Sequence, residues 1–153
     1  VQYSGNMGLW HDIEVIVEAA KLLRERRDIR FLLIGDGRRR EPAEALCRRE
    51  RLANVTWLPF QPAERLEDSL SCCHVALISQ RAELEGVAVP SKLYGILASE
   101  RAVLAHVPLA SEVAEVVREE NCGVVVAATE RAGALAASIV ELAADRQRVA
   151  EMG

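Results

Sequence analysis

The sequence predicts an α/β fold in which a Rossmann-like parallel sheet carries helices on both faces. Short apolar runs alternate with longer stretches along the whole chain. The longer stretches carry apolar residues at helical spacing, as at Ile13, Ile16, Val17, Ala20 and Leu23. Strands and helices in alternation form right-handed βαβ units, which build a parallel sheet. The 153 residues are enough to bury one core, so we expect a single domain over residues 1–153.

The elements follow one another without a linker or an internal repeat. Buried apolar runs predict strands over residues 1–4, 31–34, 55–58, 75–79, 102–106 and 123–127. Helical patterns cover residues 13–26, 42–52, 63–72, 111–119, 130–144 and 145–152, and another helix begins at the Pro90-Ser91-Lys92 segment. Asp12 and Ser111 precede two of these patterns and are suitable N-caps.

Composition narrows the class of protein. Half of the residues are hydrophobic and 27% are charged, which is typical of a globular protein. A net charge of −4 argues against a general nucleic-acid binder, which needs a basic face. The four cysteines show no paired C-x-x-C spacing, so we expect reduced thiols and a cytoplasmic protein rather than a zinc site.

The hydropathy and the first residues of the chain bear on whether it spans a membrane and whether it belongs to a longer protein. No apolar run is long enough to span a bilayer and no signal peptide is evident. The chain starts without methionine, inside a strand-like run. We therefore expect it to be the C-terminal domain of a longer protein.

The Pro90-Ser91-Lys92 segment carries the strongest functional signal. It begins a helix directly after a predicted strand and its loop, and proline is well suited to the first turn of a helix. The unpaired N–H groups and the dipole of a helix N-terminus favour an anion. Ser91 and Lys92 add a hydroxyl and a positive charge, which together suggest a phosphate-binding site.

Glycines follow two other predicted strands. Gly5 and Gly8 lie between the first strand and its helix, and Gly35 and Gly37 follow the second strand. Glycine lets the backbone approach a ligand or a neighbouring chain segment closely. Because ligands of parallel α/β sheets bind beyond the carboxyl ends of the strands, these loops are candidate site elements. Tight turns alone would also explain them.

The Pro-Ser-Lys-x-Tyr segment at 90–94 and the Gly-Asn-Met-Gly-x-x-His-Asp segment at 5–12 resemble motifs of GT-B glycosyltransferases of family 4. The resemblance is closest to the bacterial branch that makes colanic-acid-like polysaccharides. It spans nearly the whole chain and implies the C-terminal, donor-binding half of a GT-B fold. It implies donor contacts from Gly5, Asn6, Gly8, Gly35, Gly37, Arg38, Phe60, Ser91 and Lys92, and catalytic roles for His11 and Glu85.

The sequence departs from the family pattern at several positions. Asn6 stands where many relatives have an arginine, and no lysine follows it before the helix. A second motif glutamate, which in the family holds the ribose hydroxyls, falls on Leu93 or Gly95, depending on the alignment. The usual Gly-Arg-Pro-Val also becomes Glu-Arg-Ala-Val at 100–103.

The resemblance implies transfer of a hexose-type sugar from a nucleoside diphosphate donor, a UDP-sugar first, to a saccharide or lipid-linked acceptor. The acceptor would bind mainly to an N-terminal domain outside this chain, and the isolated domain would be inactive. The family generally uses no metal or other cofactor, and it allows peripheral association with the inner face of the membrane. Two alternatives stay open: half of a sugar-nucleotide epimerase, and a nucleotide-binding or interaction module without catalysis.

Overall fold

The computed structural model describes residues 1–84 and 91–153. In this part of the chain, six parallel strands form one sheet in the order β3-β2-β1-β4-β5-β6. The strands are β1 (Gln2–Ser4), β2 (Phe31–Ile34), β3 (Val55–Leu58), β4 (Val75–Ser79), β5 (Ala102–Val107) and β6 (Gly123–Ala127). The α-helices are α1 (Ile13–Leu22), α2 (Arg40–Glu50), α3 (Leu66–Ser71), α4 (Lys92–Ala98), α5 (Glu112–Glu119), α6 (Ala132–Ala144) and α7 (Arg146–Met152). The predicted Rossmann-like α/β class is confirmed.

Local chemistry sets where several helices begin. The Asp12 carboxylate accepts a hydrogen bond from the Val15 amide at 3.2 Å, and Ser111 accepts one from Ala114 at 3.3 Å. Both predicted N-caps are therefore confirmed.

Other boundaries differ from the predicted ones. Helix α2 begins at Arg40, two residues before the predicted start at Pro42. The predicted helix over 63–72 is divided into a 3-10 turn, Ala63–Arg65, and the short helix α3. Local sequence patterns constrain the ends of helices less than their centres.

The sheet separates two hydrophobic clusters. The larger cluster lies under α1, α2, α6 and α7, and includes Tyr3, Phe31 and Leu77 from the strands. The smaller cluster lies under α4 and α5, and includes Ala76, Ile78 and Val103. Alternate residues of one strand thus face opposite clusters, as the period of a β-strand requires.

The face of the sheet that carries the smaller cluster is covered near β1 only by short helices. The helices α3 and α4 flank this region and contain only 6 and 7 residues. The reversal of strand order between β1 and β4 lies at the same place. Open α/β sheets bind ligands at such a topological switch point, so the fold itself indicates where a site should be.

Within the described residues, no helix is both long enough and apolar enough to cross a membrane.

Candidate functional site

The loops after β1 and β2 interlock at the carboxyl edge of the sheet. The amide of Met7 donates a hydrogen bond to the carbonyl of Asp36 at 2.7 Å, and the amide of Arg39 donates one to Met7 at 2.9 Å. Gly35 and Gly37 have φ angles of +132° and +145°. A Cβ on Gly35 would overlap the Gly5 carbonyl, and one on Gly37 would lie 2.5 Å from the Met7 backbone. Both glycines therefore allow one loop to pack against the other.

Lys92 is held at the centre of the site by Tyr3. The Lys92 ammonium donates a hydrogen bond to the Tyr3 hydroxyl at 2.9 Å and lies 4.0 Å from the centroid of the Tyr3 ring. The Tyr3 hydroxyl in turn donates to the Asn6 carbonyl at 2.6 Å. A Cβ on Gly5 would approach the Lys92 nitrogen to 3.3 Å. The first loop and the start of α4 are thus joined through one tyrosine.

Burial shifts the pKa values of both Lys92 and Tyr3. It lowers the pKa of Lys92 to about 7, because the charged ammonium loses solvation there. Burial also raises the pKa of the Tyr3 hydroxyl, which therefore stays protonated. The amine of Lys92 is consequently poised between its charged and neutral forms near neutral pH, and a nearby anion would favour the charged form.

His11 lies beside this pair, with its ring edge-on to Tyr3 at a centroid separation of 6.1 Å. Its Nδ1 is 2.9 Å from the carbonyl oxygen of Ser79. Because a carbonyl only accepts, Nδ1 carries the proton, and in the neutral ring Nε2 is an acceptor. Burial, and secondarily the charge of Lys92, lower the pKa of His11, while the bond to Ser79 opposes that shift.

A cavity of about 650 Å³ opens at this edge of the sheet. Six of the predicted site residues line it: Gly5, Asn6, His11, Phe60, Ser91 and Lys92. The cavity then descends between α3 and α4, where the lining is mainly apolar, and Gln2 of β1 lies in its wall. One end is therefore basic and polar, and the other is largely hydrophobic, which suits an amphipathic ligand with an anionic group.

The other predicted residues lie outside this lining. Gly8, Gly35, Gly37 and Arg38 do not line the cavity, and Glu85 lies outside the described residues. Within the neighbouring arginine cluster, Arg39 pairs with Glu14 at 2.8 Å and Arg40 with Glu44 at 2.7 Å. Arg38 is exposed, so its predicted contact with the donor stays a prediction.

Residues that the sequence reasoning did not select also line the cavity. They include Trp10, which is 59% exposed, and the buried side chain of Ser69. Tyr3, which contacts Lys92 without lining the cavity, was missed as well, although a tyrosine two residues before Gly5 was a usable signal. Ser69 carried no comparable signal, since nothing local distinguishes it from other helical serines.

Three further polar residues near the sheet lie outside the lining of the cavity. His106 is fully buried on β5, and its Nε2 is 3.1 Å from the Glu130 carbonyl. His74 lies at the amino end of β4, away from the cavity. Glu100 follows the C-terminus of α4 and therefore lies at the edge of the sheet opposite the cavity. Its charge is therefore remote from Lys92, which begins the same helix.

Among the described residues, no group of three or more His, Cys, Asp and Glu side chains is placed to hold a metal ion. Lys92 and Ser91 are instead suited to direct contact with an anion.

The fold is that of a Rossmann-like α/β domain with a cavity at the carboxyl edge of its sheet. The model of the family described as "Glycosyl transferases group 1" matches residues 1–145, so the chain belongs to that family. It is 27% identical over 122 residues to "Probable glycosyltransferase WbjE" of Pseudomonas aeruginosa, a match that covers 80% of this chain and 30% of that protein. It is 32% identical over 98 residues to "Putative colanic acid biosynthesis glycosyl transferase WcaI" of Escherichia coli (strain K12). That match covers 64% of this chain and 24% of WcaI.

Solved structures share the fold. HepE from Anabaena, crystallised in complex with UDP, superposes with a TM-score of 0.80 at 16% identity. The match covers 99% of this chain and 40% of HepE. This chain therefore spans less than half of HepE and less than a third of the two curated relatives. The predicted resemblance to this glycosyltransferase family is confirmed.

Proposed function

We propose that this chain is the nucleotide-sugar-binding domain of a glycosyltransferase. The whole enzyme would transfer a hexose-type sugar from a nucleoside diphosphate donor, a UDP-sugar first, to a saccharide or lipid-linked acceptor in cell-surface polysaccharide synthesis. Membership of the glycosyl transferases group 1 family supports the reaction class. UDP bound to HepE, which shares the fold, supports the choice of donor.

The observation that carries the proposal is the position of Lys92. Its ammonium lies on the wall of the cavity, at the switch point of the sheet, and is fixed by Tyr3 rather than by a carboxylate. Among the described residues of the cavity lining, no aspartate or glutamate neutralises it. An anionic ligand would supply the missing negative charge, and a diphosphate is the anion that a sugar donor carries.

Bond cleavage in such a donor would leave negative charge on the diphosphate. Lys92 would stabilise that charge, and the hydroxyl of Ser91 would contribute a hydrogen bond. The bound diphosphate would already have raised the pKa of Lys92 from its lowered value, so the ammonium form would be present when the charge develops. Most of the catalysis would therefore come from positioning and electrostatic stabilisation of the leaving group.

His11 is proposed to act at the sugar end of the donor. With Nδ1 committed to Ser79, the neutral ring offers Nε2 as a hydrogen-bond acceptor. A hydroxyl group of the transferred sugar is a suitable donor for it. Its lowered pKa keeps the ring neutral at pH 7.

The remaining parts of the proposal rest on the resemblance alone. These are a bound acceptor on a domain outside this chain, transfer without a cofactor, a cytoplasmic location, and peripheral association with the inner face of the membrane. We propose also that the chain alone binds the donor without transferring its sugar, since the site would lie between two domains.

Calorimetric titration of the 153-residue chain with UDP-glucose, UDP and uridine tests the binding function. We expect UDP-glucose and UDP to bind, and uridine to bind at least about tenfold more weakly because it lacks the diphosphate. Equal binding of uridine and UDP would contradict a diphosphate site at Lys92. Binding without sugar transfer by the full-length enzyme, measured with a labelled donor, would favour the alternative of a nucleotide-binding module.

A further inference from the structure

We infer that the hydroxyl of Ser69 bonds to the polar edge of the donor's nucleobase, and that the base lies in a slot between the sheet and helices α3 and α4. This inference rests on the proposed function, because it places the diphosphate at Lys92. It assigns recognition of the base to Ser69, with Gln2 as its positioning residue. The family resemblance indicated neither of them.

Ser69 is buried at a position where an apolar residue would be more stable. Among the six residues of α3, all of which the structure describes, Ser69 alone is buried. It is 9% exposed and lines the cavity, and its hydroxyl oxygen has no hydrogen-bond partner among the described residues. A buried hydroxyl without a partner costs stability, and alanine would also favour the helix more. A ligand therefore explains this serine better than packing does.

Gln2 holds Ser69 in place against strand β1. The Gln2 side chain is buried, and its Nε2 donates a hydrogen bond to the backbone carbonyl of Ser69 at 2.9 Å. Because a carbonyl only accepts, this bond also sets the orientation of the amide group. The bond uses the backbone oxygen and leaves the Ser69 hydroxyl available. Both residues line a part of the cavity whose other walls are mainly apolar, so they form a polar pair within it.

The inner part of the cavity is a slot between the sheet and two helices. Strands β1 and β4 contribute Gln2 and Ala76, which are register partners. Helices α3 and α4 contribute Leu70 and Gly95, and a Cβ at Gly95 would lie 3.5 Å from the Leu70 Cδ1 atom. The two helices thus approach each other closely beside the sheet. A narrow space of this kind suits the flat ring of a nucleobase.

The cavity connects this slot to Lys92. Lys92 and Ile96 both line it, at positions i and i+4 of α4, so they share one face of the helix. Gly5, beside Lys92, is three positions from Gln2 in the chain, and three residues of an extended strand span about 10 Å. A nucleoside is of similar length from its phosphate to the far edge of its base. With the diphosphate at Lys92, that edge reaches Ser69.

The far edge of uracil has groups that a serine can bind. It carries the O4 carbonyl oxygen and the N3–H group, and a hydroxyl can donate to the first or accept from the second. The apolar walls of the slot would contact the faces of the ring. Because water is excluded there, the hydrogen bond to Ser69 gains strength from the low local dielectric.

Calorimetry with UDP and with 4-deoxyuridine 5′-diphosphate tests the inference, because the second ligand keeps the ribose and the diphosphate but lacks both O4 and N3–H. We expect the wild-type chain to bind UDP at least about fivefold more tightly, and Ser69→Ala to bind the two ligands within about twofold of each other. Ser71→Ala, which changes an exposed serine of the same helix, is the matched control and should keep the wild-type ratio. An unchanged ratio in Ser69→Ala would overturn the inference while leaving the proposed function intact. Absence of UDP binding by the wild-type chain would instead contradict the proposed function.

Urea unfolding without ligand gives an independent test and establishes that both variants fold. Both substitutions raise helix propensity, but Ser69→Ala also removes a buried hydroxyl that has no partner among the described residues. We expect the urea midpoint of Ser69→Ala to lie above that of Ser71→Ala, although the Ser69 variant binds UDP more weakly. A midpoint below that of Ser71→Ala would show that the hydroxyl stabilises the fold through a partner of its own, and would overturn the inference.

Discussion

Lys92 and Tyr3, 89 positions apart in sequence, form a single unit in the fold, with the lysine ammonium 2.9 Å from the tyrosine hydroxyl and 4.0 Å from the ring centroid. A cation over an aromatic face is stabilised by the ring quadrupole. The pairing neutralises no charge, however, and burial still lowers the pKa of the lysine to about 7. The fold thus keeps a cation in a partly desolvated place, where an anionic ligand gains most from it.

The first prediction concerns the affinity for a nucleoside diphosphate. Replacing Lys92 with alanine should weaken UDP binding by about 1–3 kcal/mol, because a charge-assisted bond to phosphate is lost. Stability should change little, since the Tyr3 hydroxyl keeps its bond to the Asn6 carbonyl. Calorimetry at two salt concentrations measures the first effect, and urea unfolding the second. An equal loss of affinity for uridine would place Lys92 away from the phosphates.

The second prediction is that binding takes up a proton. Above pH 7 most free domains carry a neutral Lys92, because its pKa is about 7. A bound diphosphate raises that pKa, so between the free and bound values affinity falls as pH rises. UDP-glucose is the ligand to use, since its doubly esterified diphosphate has no ionisation near neutral pH. Calorimetry at about pH 8, in two buffers with different ionisation enthalpies, should show net proton uptake.

Lys92→Met is the control for this measurement. Methionine fills a similar space without a titratable group, so the uptake should vanish at about pH 8. Burial still lowers the pKa of His11 in this variant, although the contribution from the charge of Lys92 is lost. Uptake that persists in the variant would assign the proton to another group. No uptake by the wild-type chain would show that Lys92 is already charged when the ligand arrives.

The third prediction separates the Tyr3 hydroxyl from its ring. Tyr3→Phe keeps the aromatic face but removes the acceptor for Lys92 and the donor to the Asn6 carbonyl. We expect a loss of about 1 kcal/mol in unfolding free energy, as for a typical hydrogen bond. The loss in UDP affinity should be larger at about pH 8 than at about pH 6, because the hydroxyl favours the charged form of Lys92.

Tyr94→Phe is the matched control, since the Tyr94 hydroxyl bonds to Glu112 at 3.2 Å on the exposed surface. It should leave UDP affinity unchanged at both pH values. Equal pH dependence in the Tyr3 variant and the wild type would contradict a role of the hydroxyl in tuning Lys92.

The order of strands and helices was predictable because its signals are local. Periodic apolar residues set each element, as in Val75–Ser79, whose bounds were predicted in full, and capping oxygens at Asp12 and Ser111 fix two helix starts. The alternation then requires a parallel sheet, whose switch point gathers the loops. Six of the residues that the family resemblance implied for the site line the cavity at that switch point.

Contacts between residues that are far apart in the chain could not be predicted from the sequence. Nothing near Tyr3 or Lys92 in the chain indicates that they meet, and the open groove depends on the short α3 and α4 lying side by side. For Gly35 and Gly37, too, the partner in the fold could not be predicted. The need for close approach was visible in the sequence, but a neighbouring backbone, rather than a ligand alone, makes that approach in the fold. Their predicted contact with the donor stays a prediction.

The fourth prediction follows from that loop packing. In Gly35→Ala, the new methyl group overlaps the Gly5 carbonyl, and alanine is strained at a φ of +132°. The two loops must separate, which breaks the bond from the Gly5 amide to the Ile34 carbonyl, 2.9 Å long in the native fold. We expect a loss of about 3 kcal/mol in unfolding free energy, from strain and lost packing together.

Gly133→Ala is the control, because its methyl group meets nothing within 4 Å and alanine should stabilise helix α6 by about 0.5–1 kcal/mol. Urea midpoints measure both variants on one scale. Opposite shifts would support the packing role of Gly35, whereas a Gly35→Ala midpoint equal to that of the wild type would mean that the loops do not pack as described.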